Sequence, residues 1–177
     1  MQNVKLIVMD VDGTLTDGTL LYGEHGEQEK RFHAADGLGI VMAQGVGLRF
    51  AVISGRENAG VRKRMTELLV ADVIEQCGDK AAALSALQRK YDLQTEEIAF
   101  VGDDLNDLPA FAVAGVKIAV ANAASQLREQ ADYITPRAGG HGGVRDAIEE
   151  ILRRQGRLDE AVQAYITRSA LKDTARQ

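Results

Sequence analysis

The sequence predicts an α/β fold, a doubly wound and mainly parallel sheet with helices on both faces, and two observations predict it. Short apolar runs recur at residues 6–9, 48–53, 70–74, 98–101 and 116–120. Amphipathic segments of helix length lie between them, the alternation that covers a parallel sheet on both sides. With 177 residues, 45% of them hydrophobic, the chain has the size of one α/β domain with a sizeable core, so residues 1–177 are expected to form a single domain.

The first strand, 6–9, runs directly into Asp10. Residues 16–32 then break the alternation: Asp17-Gly18, Gly23 and Gly26 interrupt Leu20, Leu21, Tyr22 and Phe32 without a helical period, which reads as an inserted β-hairpin. The strand at 48–53 leads through Ser54-Gly55-Arg56 into a helix. Within 79–91, Leu84, Leu87 and Tyr91 share one helical face, and Asp79 stands where an N-cap belongs. Gly45 and Gly115 fall at expected helix C-termini. In the segment 157–177, Leu158, Val162, Tyr165 and Ile166 form a short amphipathic helix, expected to pack on a neighbouring subunit. The polar residues 172–177 are expected to be mobile.

Charge and composition narrow the function. Twenty-one basic against 26 acidic residues give a net charge of -5, without the basic footprint of a nucleic-acid binder. No apolar run approaches the ~18 residues a membrane span requires, so no membrane partner is expected. Cys77 is the only cysteine. It allows neither an intrachain disulfide nor a thiolate zinc cluster, which fits a reducing, cytoplasmic setting.

The chemistry concentrates in two acidic loops. Asp10-Val11-Asp12-Gly13-Thr14 follows the first strand, and Gly102-Asp103-Asp104-Leu105-Asn106-Asp107 follows the strand at 98–101. Taken singly, Asp12-Gly13 reads first as an Asp-Gly turn after a strand, and the second loop as a solvated turn with Asp107 as a helix N-cap. Parallel strands would bring both to one sheet edge, where so many carboxylates are tolerable only beside a cation; Mg²⁺ is the expected one. Thr14 can cap the next turn or donate to an anion. Between the loops, the Ser54 hydroxyl and the backbone N–H groups at Gly55 and Arg56 are placed to meet an anion above the sheet. Lys80 falls in the first turn of a helix, where the macrodipole disfavours a cation, and that misfit suggests that it neutralises phosphate. The parts add up to phosphoryl transfer, with Asp10 attacking phosphorus and Asp12 serving as general acid and then general base.

In this order Asp10-Val11-Asp12-Gly13-Thr14, Ser54, Lys80 and Gly102-Asp103-Asp104 with Asp107 resemble the four motifs of the haloacid dehalogenase superfamily. More narrowly, Leu15-Thr16-Asp17-Gly18, Lys30-Arg31-Phe32 to Asp36-Gly37, Ile53-Ser54-Gly55-Arg56 and Gly139-Gly140-His141-Gly142-Gly143-Val144-Arg145 resemble the 3-deoxy-D-manno-octulosonate 8-phosphate phosphatase family. The resemblance implies a phosphorylated sugar-acid substrate and an aspartyl-phosphate route. It also implies Mg²⁺ held by Asp10, Asp103 and the main-chain carbonyl of Asp12, with Asp107 positioning Lys80. Arg56 would lie near the sugar-acid carboxylate. No large cap domain is expected, and such hairpins assemble homotetramers in that family.

His141 departs from the arginine common at its position, so its contact with substrate or with a neighbouring chain would differ. It reads equally as an exposed loop residue, while His25 and His33 read as structural or solvated. Alternatives remain: a phosphatase for a nonulosonate 9-phosphate or another sugar phosphate, a phospho-receiver domain, or a regulatory domain that keeps the fold.

Overall fold

The computed structural model describes residues 1–24 and 26–174. Six parallel strands form one sheet in the order β5-β4-β1-β6-β7-β8: β1 (Leu6–Met9), β4 (Arg49–Ile53), β5 (Asp72–Ile74), β6 (Ile98–Gly102), β7 (Val116–Ala119) and β8 (Tyr133–Ile134). The five expected runs are all strands, and β8 is the one with no sequence signal, being only two residues long. The central strands β1 and β6 are buried along their whole length, which is why they read as unbroken apolar runs rather than as alternating ones.

The chain winds from β1 outward through β4 to β5, then crosses back to β6 and continues outward through β7 to β8. β1 and β6 therefore lie side by side, in register from Leu6 opposite Ile98 to Met9 opposite Val101. Their carboxyl ends flank the point where the winding reverses, the place where open α/β sheets bind ligands.

Helices pack on both faces. α1 (Ala34–Gln44), α6 (Gly143–Arg154) and α7 (Leu158–Thr174) pack together, and α3 (Lys80–Lys90) packs against α4 (Leu108–Val113). The remaining helices are α2 (Ala59–Glu67) and α5 (Ser125–Arg128). α3 begins as its sequence requires, with the Asp79 carboxylate accepting from the Ala82 N–H at 2.9 Å, and it buries Leu84 and Leu87. Phe100 of β6 and Phe111 of α4 meet edge to face with centroids 6.2 Å apart, a contact that adds about 1 kcal/mol to the apolar burial. Asp36, in the first turn of α1, accepts from the Arg145 N–H at 2.7 Å and joins the starts of α1 and α6.

The inserted hairpin is present as β2 (Leu21–Gly23) and β3 (Gly26–Glu29), antiparallel and separate from the main sheet. His33 takes a structural role, its Nδ1 accepting from the Ala35 N–H at the start of α1; His25 lies outside the described residues. α7 packs on α1 and α6 of its own chain and buries Ala161. It is longer than expected and runs to Thr174, into the polar stretch 172–177, of which 175–177 lie outside the described residues. Among the described residues, no helix is long and apolar enough to cross a membrane.

Candidate active site

The register of β1 with β6 decides the geometry. Asp10 leaves the end of β1 and Asp103 the end of β6, and the Asp10 N–H donates to Val101 O at 3.0 Å. Carboxylate oxygens of Asp10, Asp103 and Asp107 all lie within 4.8 Å of one another. Lys80 reaches this group from the first turn of α3, its ammonium 2.5 Å from Asp10 Oδ1 and 2.6 Å from Asp107 Oδ1. Its side chain is 3% exposed, so the cation that the helix dipole disfavours is instead held by two carboxylates.

Asp107 is no side-chain cap for α4; its carboxylate turns back to the loop. Oδ2 accepts from the Asp103 N–H at 2.9 Å while Oδ1 holds Lys80, so Asp107 ties the β6 loop to the ammonium. Asp104 caps the short 3₁₀ turn Leu105–Asp107 by accepting from the Leu105 N–H, and Asp107 Oδ2 accepts from the Asp104 N–H in return.

Thr14, expected to meet the substrate, is fully buried, and its hydroxyl donates to Asp103 Oδ1 at 2.8 Å. Gly13 makes that contact possible: its φ is +94°, and a Cβ there would stand 2.0 Å from Asp103 Oδ2. Ser54 is also buried, and its Oγ accepts from the Arg56 N–H at 3.2 Å. The helix expected directly after Ser54 starts only at Ala59, where Asn58 caps the N–H groups of Gly60 and Val61. The anion-facing groups of this loop are thus Gly55 and Arg56 rather than the helix start.

Asp10, Asp12, Gly55, Arg56 and Asn106 line a cleft of about 360 Å³ above these residues. Arg56 Nε stands 3.8 Å from Asp12 Oδ2, and its Nη1 donates to the hydroxyl of Tyr22 on the hairpin at 3.3 Å. The glycine-rich segment supports the floor from the side: the Gly140 N–H donates to Thr14 O at 3.1 Å, and a Cβ on Gly139 would stand 1.7 Å from Gly13 O. His141 itself is exposed and lies on the hairpin side with Asp17 and Arg31, outside the residues that line the cleft.

Of three further contributors, two carried no sequence signal of their own and one carried a single weak one. Asn106 faces the cleft but sits as a neutral residue inside an acidic loop. Tyr22 belongs to the insertion, whose approach to Arg56 only tertiary structure reveals. Lys30, at the exit of the hairpin, is bonded to Asp12 Oδ1 with a side chain only 1% exposed; its one signal was its place in the Lys30-Arg31-Phe32 segment.

The electrostatics arise from this crowding. Burial, then the neighbouring Asp107, raise the Asp10 carboxyl to about 6 against the pull of Lys80. Burial, then Asp10, push Asp103 to about 8. For Lys80 burial acts downward, but Asp10 and Asp107 outweigh it and the ammonium is held above its ordinary value. Lys80 and Thr14 engage the Oδ1 atoms of Asp10 and Asp103, and these two acids, at adjacent strand ends, offer the hard oxygen donors that a divalent cation such as Mg²⁺ takes.

These shifts imply a pH dependence. Both carboxyls titrate above the 3.8 of an unperturbed Asp, so the metal-free folded chain binds more protons than the unfolded chain from about pH 4 to pH 8. Its stability therefore falls as pH rises through that window. Mg²⁺ needs the ionised pair and removes the penalty, so melting curves in EDTA and in Mg²⁺ are expected to diverge more at pH 8 than at pH 6. A Mg²⁺ shift of equal size at both would contradict the assignment of Asp10 and Asp103 as its ligands.

The comparisons with known proteins place the chain in a family. The family model of haloacid dehalogenase-like hydrolases matches residues 66–148. The 3-deoxy-D-manno-octulosonate 8-phosphate phosphatase of Escherichia coli K12 is 39% identical over 160 residues, spanning 90% of this chain and 85% of the relative. This chain belongs to the 3-deoxy-D-manno-octulosonate 8-phosphate phosphatase family. The family's Haemophilus influenzae phosphatase is 38% identical over 157 residues, 89% of this chain and 87% of its own. Two solved structures of the family match the fold. The Moraxella catarrhalis phosphatase, in complex with magnesium, phosphate and a KDO molecule, has a TM-score of 0.88 at 39% identity, over 93% of this chain and 94% of that one. The cobalt-bound H. influenzae form has a TM-score of 0.89 at 36% identity, over 93% and 98%.

Proposed function

We propose that the chain hydrolyses 3-deoxy-D-manno-octulosonate 8-phosphate to the free sugar acid and phosphate, through an aspartyl-phosphate on Asp10. The observation that carries this reading is the convergence of Asp10, Lys80, Asp103 and Asp107 beneath a cleft walled by Asp12, Gly55 and Arg56. The substrate is that of the relatives' names, at 39% identity over nearly the whole chain.

An Asp10 oxygen attacks phosphorus in line while the bond from phosphorus to the substrate's 8-oxygen breaks. Protonated Asp12 gives its proton to that oxygen, which leaves as the alcohol. Water then attacks the phosphorus of the aspartyl-phosphate and yields a proton to Asp12; the bond to Asp10 breaks and phosphate departs. Lys80, held by Asp107, keeps Asp10 ionised and offsets charge on the phosphoryl oxygens. Ser54, its Oγ accepting from the Arg56 N–H, still has its own proton to donate to a phosphoryl oxygen. Arg56 is suited to the substrate carboxylate, being half-exposed at the cleft rim. Asp10, Asp103 and the Asp12 carbonyl would hold Mg²⁺, which supplies positive charge to the transferring group.

We read residues 1–177 as one domain with the hairpin as its only insertion, working in the cytoplasm as a homotetramer.

Phosphate release measured with Mg²⁺ on octulosonate 8-phosphate, nonulosonate 9-phosphates and simple sugar phosphates tests the reading. Octulosonate 8-phosphate is expected to give a kcat/KM at least ~10-fold above the others, since simple sugar phosphates lack a carboxylate for Arg56 and a nine-carbon chain sets carboxylate and phosphate at a different separation. Equal rates across the panel would remove the assigned specificity, and a single equivalent retained on the protein without continuous phosphate release would favour a receiver domain.

A further inference from the structure

We propose that Lys30 is a positioning residue for the reaction, fixing the Asp12 carboxylate at the mouth of the cleft and so coupling the hairpin to proton transfer. The inference rests on the reading of Asp12 as proton donor and acceptor. A lysine side chain with 1% exposure is unusual, because a buried ammonium costs several kcal/mol unless a counter-charge and hydrogen bonds meet it. Asp12 supplies that counter-charge, its Oδ1 bonded to Lys30 and its Oδ2 3.8 Å from Arg56 Nε. Both cations are tied to the insertion. Lys30 follows β3 directly, and Arg56 donates to the hydroxyl of Tyr22 in β2 at 3.3 Å.

Asp12 is therefore oriented by groups set by the hairpin, whereas Asp10 is oriented by Lys80 at the strand ends. The two acids are two residues apart in sequence but are held by separate supports. That separation suits their tasks, because a proton donor must meet the leaving oxygen on the substrate side of phosphorus while the nucleophile stays beneath it. A displacement of ~1 Å in such a group costs about 100-fold in rate.

The leaving group provides the test. An alkoxide needs a proton as it departs, whereas nitrophenolate does not. In the first turnover with Mg²⁺, Lys30→Met is expected to slow release of the sugar acid from octulosonate 8-phosphate by about 10–100-fold, the range general acid catalysis covers, and release of nitrophenolate from p-nitrophenyl phosphate by less than about 3-fold. Lys30→Arg is expected to recover part of the loss. In the Asp12→Asn background the Lys30 substitution is expected to add nothing. Lys30→Gln, which keeps a polar head in the buried site, serves the same comparison if the methionine variant does not fold. Equal losses on both substrates, no loss on either, or a full additional loss in the Asp12→Asn background overturns the proposal. An Asp12→Asn enzyme with unchanged sugar-acid release would instead overturn the role of Asp12 itself.

Discussion

Asp10→Asn is expected to leave a folded protein whose phosphate release falls at least ~10⁴-fold, about 5 kcal/mol of transition-state stabilisation, as when any enzyme loses its nucleophile. The same substitution is expected to cost no stability without metal at pH 8, and this second half makes the test specific. Asp10 and Asp107 share one ammonium beside Asp103, and burial and Asp107 already raise Asp10 to about 6. At pH 8 the folded chain therefore ionises Asp10 at a penalty relative to the unfolded chain, and an amide removes the penalty. The amide still offers an oxygen to Lys80, which keeps its bond to Asp107. Phosphate-release assays and melting curves on one preparation read both effects. An asparagine variant with wild-type turnover would end the covalent mechanism, and one that is inactive because it is unfolded would refute the account of the cluster.

Much of this was legible in the sequence because the two kinds of signal coincide. The runs at 6–9 and 98–101 are continuous rather than alternating because β1 and β6 are covered on both faces, and such strands are central. Centrality places their carboxyl ends side by side, so acids at both ends predict a convergent cluster without knowledge of the strand order. Asp79 and the Leu84–Leu87 spacing likewise fixed α3, and with it the approach of Lys80. The features that stayed hidden depend on tertiary approach. Thr14 turns to Asp103 because Gly13 brings the β1 loop against it, a distance no local pattern encodes. Lys30 looks like a solvated lysine among charges, and only the fold of the hairpin buries it against Asp12. β8 is too short to leave a hydrophobic run.

Lys80→Met presses the same cluster in the opposite direction. Asp10, Asp103 and Asp107 would remain within 4.8 Å of one another with the ammonium that bonds Asp10 and Asp107 replaced by a thioether. Breaking a buried pair by removing one partner costs roughly 3–5 kcal/mol, which in a chain of this size lowers the melting temperature by about 10 °C. The loss has a definite sign in pH. In the wild type Lys80 stabilises the fold at every pH below its ordinary 10.5, and that contribution fades only as pH rises through its raised folded value. Without it Asp10 loses the cation that pulls its carboxyl down and titrates still higher, so the folded variant takes up more protons there than the unfolded chain, and the deficit is expected to be larger at pH 8 than at pH 5.5. Turnover is expected to drop by about 10²–10³-fold, since one preorganised charge is lost from the transferring phosphoryl group. A variant equally stable at both pH values would mean that Asp10 and Asp107 do not depend on Lys80, and the electrostatic basis assigned to the site would have to be abandoned.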